Sequence, residues 1–169
     1  MNDPANDADV EALIAEGTAL ETEATAEEAV AYFKALAQRY PNHARVQFEA
    51  GGAHDFAGYE AEAIPLYRRA IELGLGDDDL LKATVQLGSS LRNVGAHDEA
   101  VATLRAGCER YPQHRALRAF YALALHSAGQ QAAALAQMLH MTLDAPGFYE
   151  RYTASLRYYA QELTQNADQ

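Results

Sequence analysis

Tryptophan is absent from this chain, and cysteine occurs once, at Cys108. A lone thiol cannot close an internal disulfide, so the fold must rest on a packed core. Helix breakers are sparse: five prolines and eleven glycines in 169 residues. That scarcity, with abundant alanine and leucine, favours an all-α fold. No apolar run approaches the roughly 20 residues needed to cross a bilayer. The start, Met1-Asn2-Asp3-Pro4, lacks the apolar segment of a secretory signal. Together these predict a cytoplasmic protein with no membrane segment. Positive charge is scarce too, with 13 Lys and Arg against 24 Asp and Glu, a net charge of −11. Such a chain repels phosphate backbones, which argues against nucleic acid as a partner.

What is present is ordinary for one globular domain, at 49% hydrophobic and 22% charged residues. The acid is unevenly placed. Residues 1–80 carry 17 acids against 5 Lys and Arg, or −12, and residues 81–169 carry 7 against 8, or +1. This polarity either steers a partner or a second copy to one end, or reflects solvated acidic faces in the first half.

A repeat emerges from Glu28-Ala29-Val30, Glu62-Ala63-Ile64, Glu99-Ala100-Val101 and the looser Ala133-Ala134-Leu135. The alanines Ala29, Ala63, Ala100 and Ala134 are separated by 34, 37 and 34 residues. Twelve residues before them stand Gly17, Gly51, Gly88 and Ala122, where a close helix crossing tolerates only a small side chain. Five before stand Ala24, Gly58, Gly95 and Gly129, where a helix ends on a left-handed cap. Twelve after stand Pro41, Leu75, Pro112 and Pro146, closing each unit. The predicted units are 10–43, 44–77, 81–114 and 115–148, with Asp78, Asp79 and Leu80 inserted between the second and third. The insertion is expected to extend the following helix, with an aspartate as its N-cap. Pro65, within the second helix of its unit, predicts a late start or a kink. After the units, Phe148, Tyr152, Leu156, Tyr159 and Leu163 form one apolar stripe. They define a capping helix over 148–164 that covers the last hydrophobic face. Residues 1–9 read as an acidic tail and 165–169 as a frayed end.

A 34-residue period with this small-Gly-Ala-Pro framework over residues 10–148 resembles the tetratricopeptide repeat (TPR) proteins. The segment Leu87-Gly88-Ser89-Ser90-Leu91-Arg92-Asn93-Val94-Gly95 is similar to the small bacterial tetratrico peptide repeat group 5 proteins. The resemblance implies an α-solenoid of four helix-turn-helix units and a non-catalytic protein-binding role without cofactor. It further implies a homodimeric state. The chain departs from the usual pattern at the fourth position of each unit, where Leu13, Gln47, Thr84 and Arg118 replace a common large aromatic.

The resemblance also places the first helix of each unit on a concave surface. Positions 2, 5, 6, 9, 12 and 13 of a unit share one helix face. In the second unit these are Arg45, Phe48, Glu49, Gly52, Asp55 and Phe56. In the third they are Lys82, Val85, Gln86, Ser89, Arg92 and Asn93, and in the fourth they include Phe120, Leu123 and His126. Two readings stand. One is a locally basic, aromatic groove in which Arg45, Phe48, Lys82, Gln86, Ser89, Arg92, Asn93, Phe120 and His126 bind a peptide or protein segment with an acidic or carboxylate end. The other is a solvated face that offsets an acidic exterior. The clamp of chaperone-tail-binding TPR proteins would fall on Ile14, Thr18, Glu49, Lys82 and Gln86, where only Lys82 fits. A TPR assembly or secretion chaperone is the alternative within the same fold, and an enzyme or small-ligand receptor using the groove is a further one.

Motifs for chemistry are thin. None of the six histidines pairs with another at i,i+3 or i,i+4, so no helix presents a ready metal site. His54-Asp55 and His97-Asp98 match the dipeptide of HD-type phosphohydrolases, which need further ligands on a larger bundle. Cys108, mid-helix beside Gly107, reads as a small apolar filler. No glycine-rich phosphate loop, Gly-x-Ser-x-Gly or Cys-x-x-Cys occurs. Tyr149 and Tyr158 fall off the apolar stripe and are either a dimer seam or plain surface.

Overall fold

A computed structural model describes residues 7–145 and 153–167. Among the described residues every regular element is an α-helix, nine in all. They are α1 (Asp7–Thr18), α2 (Ala26–Arg39), α3 (Ala44–Phe56), α4 (Glu60–Leu73), α5 (Asp77–Asn93), α6 (His97–Arg110), α7 (Arg115–Ser127), α8 (Gln131–Leu143) and α9 (Thr153–Ala167). The chain divides into two compact units, the first ending at Ser90 within α5 and the second beginning at Leu91. Pro146, Phe148, Tyr149 and Tyr152, all assigned roles from sequence, lie outside the described residues.

The first unit packs α1 on α2, α2 on α3 and α3 on α4. Its core holds Val10, Ile14, Phe33, Val46 and Ala50, with Tyr67 fully buried. The small residue at the helix crossing is dictated by aromatics. A Cβ on Gly17 would stand 2.7 Å from Phe33 Cζ, and one on Gly51 would stand 2.8 Å from Tyr67 Cδ1 and Cε1. Both distances are shorter than any side chain tolerates, so a large ring in the second helix demands a bare backbone in the first. In the second unit α6 packs on α7, α7 on α8 and α8 on α9, around Leu104, Leu117, Leu125 and Ala136.

The glycine caps form where the spacing places them. Gly58, Gly95 and Gly129 have φ of +82, +84 and +78 degrees. The N–H of each following residue reaches back to His54, Leu91 and Leu125 carbonyls at 2.8, 2.9 and 2.9 Å, closing the same left-handed helix end three times. The corresponding Ala24 does not act this way. α1 ends at Thr18, and the longer connection is tied by threonine hydroxyls: Thr22 to Thr25 at 2.6 Å and Thr25 to the Leu20 carbonyl at 2.6 Å. Where Leu75 replaces the closing proline, Gly74 ends α4 with φ +92 degrees.

Several local expectations change. The Asp78–Leu80 insertion does extend α5, but the helix opens at Asp77 and the Gly76 carbonyl accepts from Leu80 N–H at 2.8 Å. The aspartates thus occupy the first turn, where their charge suits the helix dipole, rather than the cap. Pro65 does not delay α4, which starts at Glu60. The carbonyl left without a donor is that of Ala61, and Ala61 and Pro65 are both exposed, so water can serve it. In α9 Ala160 is the one fully buried residue among those described, while Tyr159 is 55% exposed. α1 begins and α9 ends inside the stretches read as tails.

Candidate functional site

In the first unit Arg45, Glu49, Gly52 and Asp55, all partly buried, share one face of α3 with the exposed Phe56. Arg45 is not free. Its Nε bonds Glu49 at 2.7 Å, and its Nη1 lies 3.4 Å from Asp79 and 3.8 Å from Glu11. Three first helices of the unit, α1, α3 and α5, are thereby joined through one guanidinium. Lys82 is exposed and paired with Asp79 at 3.1 Å. Phe48 is only 8% exposed and packs against Tyr67 at 6.1 Å between ring centroids. It serves the core, and the aromatic the face actually presents is Phe56, half exposed. Gln86 and Ser89 are partly buried on α5, and the Gln86 carbonyl accepts from the Ser90 hydroxyl.

In the second unit Arg92 donates to Asn93 Oδ1 at 2.8 Å while its Nε is buried without a hydrogen-bond partner. Asn93 and His126 are exposed and Phe120 is partly buried. Leu123, on the same α7 face, is half exposed.

The charge balance of the first-unit face is negative. Asp55 accepts from the Ser90 hydroxyl at 2.9 Å, yet burial raises its carboxyl above the ordinary range, outweighing that bond, and Glu60 raises it further. Glu21, in the α1–α2 connection, is also raised, first by burial and then by Glu49. One of its oxygens is buried without a hydrogen-bond partner. The Tyr67 phenol is driven far up by burial and next by the Asp55 carboxylate beside it. That hydroxyl lies close enough to feel Asp55 but makes no well-directed hydrogen bond.

His54 Nδ1 sits 2.7 Å from the Ala50 carbonyl of its own helix, and His97 opens α6. Among the described residues no three His, Cys, Asp or Glu are placed to hold a metal ion. Cys108 is partly buried, and burial pushes its thiol up against the lowering effect of Arg118. A thiol held protonated is a poor nucleophile.

Sequence inspection missed a second repeat, Arg39-Tyr40-Pro41-Asn42-His43 and Arg110-Tyr111-Pro112-Gln113-His114. In both, the histidine caps the next helix, Nδ1 accepting from Val46 N–H at 3.3 Å and from Leu117 N–H at 3.2 Å. Each arginine lies over the tyrosine ring, at 5.1 and 5.5 Å. The unusual fourth-position residues complete these turns: Gln47 reaches the Pro41 carbonyl at 3.5 Å and Arg118 the Pro112 carbonyl at 3.0 Å. A polar donor therefore stands where an aromatic is usual because it closes the turn six residues upstream. The shared spacing from proline was the available signal.

A family model described as tetratrico peptide repeat matches residues 43–163. No curated protein matches the chain. Among solved structures, the chain is similar to YrrB, described as a TPR protein with an unusual peptide-binding site, at 20% identity and a TM-score of 0.68, over 96% of this chain and 86% of that one. It is also similar to MamA from Desulfovibrio magneticus RS-1, at 15% identity and a TM-score of 0.61, over 95% of this chain and 97% of that one.

Proposed function

The chain belongs to the tetratrico peptide repeat family, and from that premise we propose that it is a non-catalytic interaction module holding a segment of another protein on the first-helix faces of its hairpins. One observation carries this reading. On α3 and on α7, the face expected to receive a partner leaves a large apolar side chain, Phe56 and Leu123, 50% exposed. Apolar anchors set among polar residues are what a binding face supplies. The peptide-binding site reported of YrrB is consistent with such a use of the fold. Charge on the first-unit face argues against a carboxylate end there, because Arg45 is already held by Glu11, Glu49 and Asp79.

Site-specific photo-crosslinking tests the proposal. A photoreactive residue at position 56 or 123 should capture a discrete partner in the native cell. The same residue at position 135 or 138, where exposed Leu135 and Met138 stand on the second helix α8, should not. Equal capture from all four positions, or none from 56 and 123, overturns the assignment.

A further inference from the structure

We propose that the turn between α6 and α7 carries a two-part site for the C-terminal apolar residue of a partner polypeptide, with its carboxylate on Arg115 and Arg118 and its side chain over Tyr111 and Pro112. This rests on the interaction role proposed above and names the chemistry of one further contact. Two hollows meet at the turn. The smaller, of about 80 Å³, is walled by the turn itself, by Arg115 and Arg118 of α7, and by Met141 and Asp144 at the end of α8. It has room for a carboxylate or several waters. The larger is a shallow, almost wholly apolar hollow of about 320 Å³ over Tyr111 and Pro112. Pro112, Gln113 and His114 line both.

The smaller hollow carries more cation than acid. Asp144 is the one acid on its wall, and it is already held by Arg118 at 3.1 Å and Arg157 at 3.6 Å. Arg115 is exposed and makes no ion pair or hydrogen bond with another described residue. The amide of Gln113 is equally unpartnered among the described residues. His114 accepts from Leu117 N–H at Nδ1, so the neutral ring keeps its proton on Nε2 and adds a donor.

The first unit contains the same turn without these features. Counted from Pro41, the positions of Arg115, Arg118 and Asp144 hold Ala44, Gln47 and Leu73, none of them charged. Gln47 closes that turn onto the Pro41 carbonyl, so closure needs a donor but no cation. Arg69 of α4 lies across the first turn and donates to Asn42 at 2.8 Å. At the second turn His140 stands in the place of Arg69, and Gln113 in the place of Asn42. The turn therefore forms without the arginines and without the opening, and both occur together at the α6–α7 copy.

Because the hollows share a wall, a charged group and an apolar group must arrive close together. In a polypeptide they are closest at an apolar C-terminal residue, where carboxylate and side chain leave the same carbon. Guanidinium groups match a carboxylate with paired N–H bonds. Asp144, on the same wall, offers an acceptor to the N–H of that terminal residue. The −12 charge of residues 1–80 repels such an end, whereas the +1 of residues 81–169 does not.

The test is an amide NMR titration of the full chain with acetyl-Gly-Ser-Leu bearing a free carboxylate, with its C-terminal amide, and with isocaproate, at physiological salt. The acid peptide should produce saturable shifts at Gln113, His114 and Arg115. The amide, which lacks the charge, and isocaproate, which lacks the N–H, should each bind about tenfold more weakly. Arg115→Ala should weaken the acid peptide about tenfold with an unchanged melting temperature, because that side chain holds nothing in the free protein. Arg118→Gln should weaken it as much while keeping the turn closed, as Gln47 does in the first unit. Lys34→Gln, an exposed lysine on α2, should leave binding unchanged. No shifts with the acid peptide, an amide or isocaproate that binds as tightly, or either arginine variant binding like wild type each overturns the site. If crosslinks from positions 56 and 123 persist while the acid peptide fails, the carboxylate contact falls and the interaction role stands. If the crosslinks fail while the peptide binds, the assignment of the α3 and α7 faces falls instead.

Discussion

Gly51 and Gly52 are neighbours on one helix, and replacing each with alanine should shift stability in opposite directions. Alanine gains about 0.5–1 kcal/mol over glycine inside a helix, through the lower backbone entropy of the unfolded chain. At Gly52 that gain is unopposed, because the new methyl meets no atom within 4 Å. For a chain of this length about 1 kcal/mol moves the melting temperature by about 2–4 °C. Gly52→Ala should therefore melt about 1–4 °C higher than wild type. At Gly51 the same methyl would stand 2.8 Å from two Tyr67 ring carbons and 3.2 Å from a third. Tyr67 is fully buried against Phe48, so the ring has little room to retreat. Overpacking of this kind costs about 1–3 kcal/mol. The net for Gly51→Ala is a loss of about 0.5–2 kcal/mol. Urea unfolding followed by circular dichroism measures both, and an unchanged denaturant slope ties the shift to stability. Two substitutions of the same sign, or a stable Gly51→Ala, would refute the reasoning about which glycine the core requires.

His114→Ala removes the acceptor for Leu117 N–H and should cost about 1 kcal/mol in urea unfolding, whereas His114→Asp should recover most of it; equal losses would show that the ring does not act as a cap. Asp55 has a folded-state pKa raised above its unfolded value, so its contribution is fully present below the unfolded carboxylate pKa and is lost as pH rises through the folded one. Asp55→Asn should accordingly be more stable than wild type at pH 7, with the difference shrinking toward about pH 4, the unperturbed carboxylate range; a constant offset in melting temperature across that window contradicts it. Cys108 should react with a disulfide reagent at pH 7.5 at least tenfold more slowly in the folded than in the urea-unfolded chain, because burial keeps its thiol protonated; equal rates would mean that the site is open.

Much of the fold was legible because repeats copy their own solutions. The 34-residue spacing identified which glycines cap helices, and Gly58, Gly95 and Gly129 do so with nearly the same φ. Gly17 and Gly51 were legible as crossing points for the same reason. Ala24 misled because a threonine network can close a helix end in glycine's place, and nothing in a period announces that substitution. Tyr159 misled because an apolar stripe fixes a face only to within one residue, and packing chose Ala160.

The candidate site was less legible, and charge is the reason. Sequence spacing alone determined that Arg45, Glu49, Gly52, Asp55 and Phe56 share one face of a helix, since helical periodicity depends only on position along the chain. Only the tertiary structure decided that Asp79 and Glu11 also reach Arg45, that Phe48 turns inward to Tyr67, and that burial raises the Glu21 and Asp55 carboxyls. Coulomb energy and burial depend on distances between helices far apart in the chain, and those distances exist only once the hairpins have packed.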